Sequence, residues 1–561
     1  MRRHFFIAAA VVLALLAGTV SVLAQGDRSA IEAVLHQVEG LRGLSADPDV
    51  PVDYLTQDQL RKRMIEDFEE ENPEEEIRTA SEIMAMLGFV EPGLDLYKLY
   101  IDLYTEQIAG FYDPEEKRMF LISEDQDMGP MDRYVLAHEL THYLQDVNFN
   151  LRRPPFYDPP ESEEGTDDDA SFAATCLVEG DAMLTSQLWL YRYMDASEML
   201  EMQQESGEFS TEVLDSAPEY VRDGLLFPYE EGMEFVRFLQ KTGGFDRVDA
   251  AFQHPPKSTE QIYHPEKYLS GDDPIPLELP DLSAELGEGW ELAYDDVLGE
   301  FDVFELFKPF MSKSAAEEAA AGWGGNDYHY YRDSVGEKLL VQLYAWDSEE
   351  DASEFIAAYV EYLEKRFKAG LREGEARGAW KTWGGGGYVH ALKKEGKNVY
   401  VLQASDEQTL EVALAGLGES GEELRGEELG GELAGEEEGG GKNIRDYGWL
   451  VIAGVAGLFF LGIVLIIVMF VLMRGQARTQ TPPPPGAYGP GLYPSSPHVP
   501  PPVSGRAEPA PPVSPPRDMP EQPPPPGGPA GPFGPPGPTG PASPTGGPSQ
   551  PPIQPPGGTG A

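Results

Sequence analysis

The sequence has very little cysteine and much less positive than negative charge. Cys176 is the single cysteine in 561 residues, which excludes an internal disulfide and a zinc site built from several thiolates. Lysine and arginine total 41 against 97 aspartate and glutamate, which gives a formal net charge of −56. Because so acidic a surface repels nucleic acid, we expect no nucleic-acid partner. Stability must come from a hydrophobic core, in which Cys176 is a small apolar residue.

Histidine is scarce as well, yet two of the nine histidines lie four residues apart, at His138 and His142. Apolar residues recur at helical spacing through 133–146, so the two imidazoles lie one turn apart on one helix face. This spacing suits a single zinc ion. Glu139 lies beside the pair, where a carboxylate can take a proton from water on the metal. The alternative is an ordinary amphipathic helix with two surface or core histidines.

A second helix, expected over residues 174–184, is mostly apolar but carries Glu179 where a core residue would be expected. A buried glutamate needs a partner, and a zinc ion is a suitable one. We therefore predict Glu179 as the third metal ligand. Asp146 and Asp181 are candidates for the groups that hydrogen-bond the ligand histidines and orient them.

Proline brackets the stretch 254–268, which contains Tyr263 and His264. Its prolines predict an extended, stiff segment and not a helix interior. A rigid loop rich in polar and aromatic residues suits the rim of a site. We predict Tyr263 and His264 as catalytic residues that stabilise the charge on the reacting carbonyl oxygen. The alternative is a structural strap over the core.

The His138-Glu139-Leu-Thr-His142 pentad followed by Glu179 resembles the gluzincin branch of zinc metallopeptidases. In that branch a glutamate on a later helix completes the HExxH site, and an edge β-hairpin before the helix aligns an extended peptide. The resemblance covers roughly residues 110–190. It implies one Zn2+ per chain and hydrolysis of peptide or protein substrates by zinc-activated water, with Glu139 as general base and later proton donor. The stretches 110–114 and 258–265 look like marks of a bacterial family of exported, membrane-anchored metallopeptidase-like proteins.

The sequence departs from the gluzincin pattern after Glu179. That family more often has an acidic residue one helical turn after the ligand, whereas here Asp181 follows by two positions. Which of Asp146 and Asp181 orients His138 or His142 is therefore open. The alternative function is a catalytically inactive, zincin-fold binding or scaffold protein of the cell surface, in which the metal, if bound, is structural. An intact Glu139 favours the peptidase, because a structural site needs no base.

We expect an α+β protein with a mainly helical, zincin-like metallopeptidase domain. An edge β-hairpin precedes the metal helix, and a small α+β domain without an evident catalytic set follows. The expected divisions are a signal peptide (1–24), the metallopeptidase domain (25–300), the small α+β domain (301–418), a Gly/Glu-rich stalk (419–446), a transmembrane helix (449–473) and a disordered Pro/Gly-rich tail (474–561).

The expected transmembrane helix has no charged residue between Trp449 and Met473. At about 1.5 Å per residue it can cross a hydrocarbon layer of about 30 Å. Arg474 and Arg478 follow at once, which places the tail in the cytoplasm and the N-terminal domain outside the cell membrane. The proline runs of the tail are a candidate target for cytoplasmic proline-recognition modules, and an inert, extended tail is the alternative.

Overall fold

A computed structural model describes residues 28–71, 73–106, 110–114, 116–122, 128–157, 167–205 and 211–418. In this part of the chain the fold is a mixed α+β arrangement. The helices are α1 (28–42), α2 (Gln57–Glu71), α3 (Glu74–Leu87), α4 (Leu96–Glu106), α5 (Pro130–Phe149), α6 (Asp168–Tyr193), α7 (Ala196–Glu205), α8 (Glu212–Ser216), α9 (Glu219–Gly243), α10 (Phe245–Gln253), α11 (Thr259–Tyr263), α12 (Pro265–Ser270), α13 (Ser283–Leu286), α14 (Glu300–Phe307), α15 (Lys313–Ala320), α16 (Glu349–Phe367) and α17 (Glu407–Gly416). The strands are β1 (Val52–Leu55), β2 (Gly110–Asp113), β3 (Arg118–Ile122), β4 (Trp290–Asp296), β5 (Trp323–Asp333), β6 (Lys338–Trp346), β7 (Arg372–Glu373), β8 (Lys381–Gly385), β9 (Tyr388–Glu395) and β10 (Asn398–Ala404).

Helix α5 lies in the core of the N-terminal region. It begins after Gly129, whose N–H donates to the carboxylate of Asp132 at 2.8 Å, and Pro130 suits its first turn. It ends at Asn150, which has a left-handed φ of 56°. Its residues from Tyr134 to Asp146 are buried on every side of the helix. A helix buried all round is a core element, so polar side chains on it must be paired within the protein.

Helices α6 and α9 touch each other through their backbones. A Cβ atom at Gly180 would lie 2.1 Å from the carbonyl oxygen of Gly232, and one at Gly232 would lie 2.3 Å from the carbonyl oxygen of Cys176. Only glycine fits at both positions, because any side chain would overlap the facing backbone. The contact fixes α6 at the residue next to Glu179.

The predicted hairpin before α5 is confirmed. Strands β2 and β3 pair antiparallel, with Phe111 opposite Phe120, and β1 pairs parallel with β3, with Val52 opposite Met119. The order β1-β3-β2 leaves β2 at an edge of this three-stranded sheet. Strand β1 was not expected, because its four residues lie more than sixty positions before their partner and give no local turn signal.

The C-terminal third of the described chain is built on a seven-stranded antiparallel sheet in the order β4-β5-β6-β10-β9-β8-β7. The sheet takes its first strand from residues before the expected boundary at 301. Strand β6 alternates between two cores: Leu340 and Tyr344 belong to the larger one, and Leu339 and Val341 to a second one that includes Leu410 of α17. Both faces of β6 are thus covered by a core, which explains why the strand is apolar almost throughout.

One prediction about local structure is wrong. The stretch 254–268 is not an extended segment, because it contains α11 and the start of α12, separated by His264. The Oγ of Ser258 accepts a hydrogen bond from Gln261 N and caps α11, and Pro265 is the first residue of α12. Proline here begins a helix instead of excluding one.

Several predicted segments lie outside the described residues: the signal peptide, the stalk, the transmembrane helix at 449–473 and the tail. Within the described part, no helix has the length and apolar character that a bilayer crossing needs.

Candidate metal centre

Helices α5 and α6 bring the three predicted ligands together. His138 Nε2 lies 3.2 Å from Glu179 Oε2 and 3.0 Å from His142 Nε2, and His142 Nε2 lies 3.5 Å from Glu179 Oε2. All three side chains are buried, with exposures of 0–1%. Among the residues that the structure describes, no other three or more His, Cys, Asp or Glu side chains converge in this way. These three residues can hold a metal ion.

The spacing of the three atoms fits a tetrahedral ion bound by nitrogen and oxygen. Metal–ligand bonds of about 2.0–2.1 Å at tetrahedral angles place neighbouring ligand atoms about 3.3 Å apart, which the three observed separations bracket. The second oxygen of Glu179, Oε1, is buried without a hydrogen-bond partner. The buried carboxylate of Glu179 needs a positive charge beside it. Either a protonated histidine of the pair or a bound metal ion supplies that charge.

The pKa shifts of the cluster point to the same need. Burial acts to lower the pKa of His142, but the charge of Glu179 outweighs it and raises the pKa. Burial acts to raise the pKa of Glu179, but the charge of His142 outweighs it and lowers the pKa. Burial lowers the pKa of His138. These directions favour an ionised Glu179, a neutral His138 and a protonated His142, so a metal ion bound here would displace the proton of His142.

Glu139 lies between the two histidines in sequence and is anchored by the edge strand. Its Oε2 accepts a hydrogen bond from the backbone N–H of Tyr112 on β2 at 3.0 Å, and its Oε1 is buried without a partner. Burial raises the pKa of Glu139 to about 8. A cation on the neighbouring ligands would lower that pKa, because it favours the ionised carboxylate. Glu139 therefore offers one fixed oxygen and one free oxygen.

Asp181 reaches His142 through an intermediate residue that sequence reasoning missed. Gln145 Oε1 lies 2.9 Å from Nδ1 of His142, and Gln145 Nε2 donates to Asp181 Oδ2 at 3.0 Å. Asp181 in turn accepts two hydrogen bonds from Arg42 Nε, at 2.7 and 2.9 Å. The sequence gives no distinctive signal for this role, because a glutamine three positions after a histidine is common on helices.

Asp146 was a candidate for orienting a ligand histidine, but its hydrogen bonds are made elsewhere. Its Oδ2 accepts a hydrogen bond from the hydroxyl of Tyr112 at 3.0 Å, and its Oδ1 accepts one from Leu151 N at 3.1 Å. Both contacts tie the end of α5 to its surroundings, and the first holds the residue that anchors Glu139. Asp146 thus acts on Glu139 through β2 and not on a ligand histidine.

Tyr263 and His264 lie among other partners. Tyr263 packs its ring against Phe227 and Phe304, with centroids 5.0 and 6.3 Å away. His264 Nε2 lies 3.0 Å from Glu300 Oε1 at the start of α14. The structure does not bring either side chain into hydrogen-bond or ion-pair contact with the three ligands or Glu139. Their catalytic role stays a prediction.

Tyr229 on α9 is an aromatic neighbour of the centre that the sequence did not single out. Its ring lies over that of His138, with centroids 6.4 Å apart and an interplanar angle of 28°, and it is 1% exposed. The contact between α6 and α9 at Gly180 allows this approach. Tyr229 therefore closes one side of the cluster.

An acidic cavity of about 580 Å³ lies apart from the metal centre, between the start of α6 and strands β4 and β5. Six aspartates line it: Asp167, Asp169, Asp273, Asp295, Asp296 and Asp327. Their carboxylates do not converge as the three metal ligands do. Several serve the local backbone, as Asp167 does when it caps α6 by accepting from Ala170 N at 2.8 Å.

Part of the chain is similar to a known domain family. Residues 290–413 match the family described as Domain of unknown function (DUF8575). This range begins with β4 and runs almost to the end of α17, so it contains the whole seven-stranded sheet and none of the three candidate metal ligands. No curated protein and no solved structure matches the chain.

Proposed function

We propose that the chain is a zinc-dependent peptidase of the gluzincin type, in which His138, His142 and Glu179 hold one zinc ion and Glu139 is the general base. The observation that carries the proposal is the free Oε1 of Glu139. It is a buried carboxylate oxygen without a hydrogen bond, on the residue between two converging histidines. A purely structural metal site has no use for such an atom, whereas a hydrolase does.

The chemistry follows from the two oxygens of Glu139. A bound zinc ion supplies Lewis acidity, which makes water more acidic and polarises a peptide carbonyl. Glu139 Oε1 accepts a proton from water as the water oxygen bonds to the carbonyl carbon. When the C–N bond breaks, the same oxygen returns the proton to the leaving amine. Meanwhile Tyr112 N–H holds Oε2 and keeps the carboxylate in place.

A second candidate function is a cell-surface binding or scaffold protein whose metal is structural. The complete burial of the ligands and of Glu139 favours it, because a substrate reaches these atoms only if neighbouring residues move. In such a protein the metal would join α5 to α6, and the zincin-like fold would be a rigid support for a binding surface. The two functions share the ligands and differ in what Glu139 does.

The deciding experiment measures metal and hydrolysis on the same preparation. We expect the full chain, purified in detergent, to contain one zinc per chain by elemental mass spectrometry. It should digest casein or a mixed peptide library, lose that activity with a chelator and regain it when zinc is restored. Stoichiometric zinc without hydrolysis of any substrate would support the scaffold instead. A chain that binds no zinc would contradict the peptidase and would leave a scaffold without a metal.

We further propose that the domain acts outside the cell, delivered by residues 1–24 and anchored by residues 449–473, with the tail in the cytoplasm. The support is the uncharged run and the arginines that follow it. Protease added to intact cells should remove the region before residue 449 and spare an epitope in the tail. Digestion of the tail from outside would reverse the orientation. The tail's proposed partners are proline-recognition modules.

A further inference from the structure

We propose that Gln145 is a positioning residue for the metal centre: its amide keeps a hydrogen on Nδ1 of His142 and so turns Nε2 of His142 toward Glu179 and His138. The inference rests on the proposed metal-dependent function and adds a residue to it. Gln145 is fully buried on α5, three positions after His142. At that spacing the two side chains lie on the same side of the helix.

The orientation of the Gln145 amide is determined by its neighbours. Its Nε2 lies 2.9 Å from the carbonyl oxygen of Val178 and 3.0 Å from Oδ2 of Asp181. A carbonyl and a carboxylate only accept hydrogen bonds, so the atom between them must be the NH₂ group. A flipped amide would place its oxygen against two oxygens and lose both bonds. The amide oxygen is therefore the atom that faces His142.

The hydrogen on His142 follows from the amide. Gln145 Oε1 lies 2.9 Å from Nδ1 of His142 and has only lone pairs to offer. Nδ1 must donate, so the lone pair of the neutral ring resides on Nε2. This Nε2 is the atom that lies 3.0 Å from His138 Nε2 and 3.5 Å from Glu179 Oε2. The amide thus selects the ring nitrogen that faces the cluster.

Asp181 can fix the amide because it is itself fixed. Arg42 Nε donates to both carboxylate oxygens of Asp181. Arg42 Nη1 also lies 2.6 Å from Oδ1 of Asp249, in an ion pair whose angles do not suit a hydrogen bond. Arg42 and Asp181 are both fully buried. A buried carboxylate that accepts hydrogen bonds from a guanidinium on both oxygens is held in place. The chain of contacts therefore runs from α1 through α6 to the ligand on α5.

His138 provides the contrast. Its Nδ1 is buried and has no hydrogen-bond partner. No hydrogen bond therefore selects a tautomer of His138 from the Nδ1 side of its ring. The two histidines of the helix are held by different means, and only His142 has a hydrogen-bond partner on Nδ1.

Nuclear magnetic resonance of the full chain with ¹⁵N-labelled histidine tests the hydrogen directly. We expect a slowly exchanging Nδ1–H signal from His142, assigned by its loss in His142→Ala, both with zinc and without it. The signal should disappear in Gln145→Leu, which has no acceptor. It should persist in Thr141→Val, a matched control on the same buried helix whose hydroxyl bonds only Ala137 O, at 2.8 Å.

Zinc affinity, measured by competition with a chelator, tests the consequence. Gln145→Leu should weaken binding about 10–100-fold, as expected for a residue that orients a ligand, and Thr141→Val should not. If Gln145→Leu fails to fold, Gln145→Met supplies a side chain of similar length that lacks the amide and has only a weakly accepting sulfur. Unchanged zinc affinity, or a surviving His142 Nδ1–H signal, in either folded variant overturns the inference. A wild-type chain that binds no zinc contradicts the proposed function, and the Nδ1–H signal then still decides the role of Gln145.

Discussion

The helical region and the sheet region each bury a histidine, and the two histidines behave in opposite ways. His142 on α5 faces a buried carboxylate, which raises its pKa. His390 on β9 is equally buried, has no well-aligned hydrogen-bond partner on either ring nitrogen, and burial lowers its pKa to about 4. Burial alone makes a histidine a neutral core residue. A buried histidine becomes a candidate ligand only where the fold places a carboxylate and a second imidazole beside it.

Replacing a buried histidine in each region should give the largest difference in zinc content between variants. His138→Ala or His142→Ala should abolish zinc binding, because two remaining ligands cannot hold the ion in a buried site. His390→Leu should leave the zinc content unchanged, since His390 does not belong to the cluster of three candidate ligands found among the described residues. Elemental analysis of the three purified variants checks both statements. Loss of zinc in the His390 variant would remove the distinction between the regions.

Glu139→Gln separates metal binding from chemistry within the helical region. We expect the variant to keep its zinc and to lose about 10²–10⁴-fold in kcat, because an amide cannot accept the proton from water. The measurement is turnover and zinc content on one preparation. A variant that loses its zinc would make Glu139 a structural part of the site.

The low pKa of His390 predicts a pH-dependent stability. The unfolded chain binds a proton at a pKa near 6.5, whereas the folded chain binds it only near 4. Between these values the unfolded state holds more protons, so stability falls as pH drops from 6.5 to 4, by on the order of 3 kcal/mol. His390→Leu should reduce this loss in denaturant titrations at several pH values. An equal loss in both proteins would mean that His390 is protonated in its strand.

The contact between α6 and α9 predicts a destabilisation confined to the helical region. Gly180→Ala should cost about 1–3 kcal/mol, because its Cβ would overlap Gly232 O and force the helices apart. Gly224→Ala on α9 is the matched control: its Cβ would meet only Phe301, at 3.8 Å. There the better helix propensity of alanine should stabilise the protein by about 0.5–1 kcal/mol. Thermal denaturation distinguishes the two, and equal shifts would contradict the close approach.

The smallest expected effect on catalysis concerns Tyr263 and His264. Their contacts with Phe227 and Glu300 lead us to expect lower melting temperatures for Tyr263→Phe and His264→Ala, with kcat near that of wild type. This is the structural strap that the sequence left as an alternative. A fall in kcat of about a hundredfold with unchanged zinc content and stability would instead establish the predicted catalytic role.

The convergence of the three candidate ligands could be predicted because their signal is local. His138 and His142 are fixed by one helical turn, and Glu179 stands out as a carboxylate in an apolar helix. Gln145 and Tyr229 could not be predicted, since glutamine and tyrosine occur on any helix. Their roles depend on which helices pack against α5 and α6, and that packing is set by contacts between residues far apart in sequence.

The sheet was predictable only where its strands carry their own signal. The apolar run at 338–346 predicts a strand, and the runs at 387–392 and 398–403 predict a hairpin; the structure confirms both, as β6 and as the pair β9 and β10. Strand β8 is Lys381–Gly385, whose last two residues are glycines, and β7 has two residues. Short or glycine-rich strands have little intrinsic preference and form because a longer neighbour offers them an edge.

The buried Arg42 has a consequence for the order in which the protein can fold. Its carboxylate partners, Asp181 and Asp249, lie 139 and 207 positions further along the chain. An unpaired guanidinium is costly to bury, so α1 cannot dock stably until both partners have left the ribosome. Closing loops of this length is slow compared with forming a helix. The side-chain network behind His142 is therefore completed late, after the helix that carries His142 has formed.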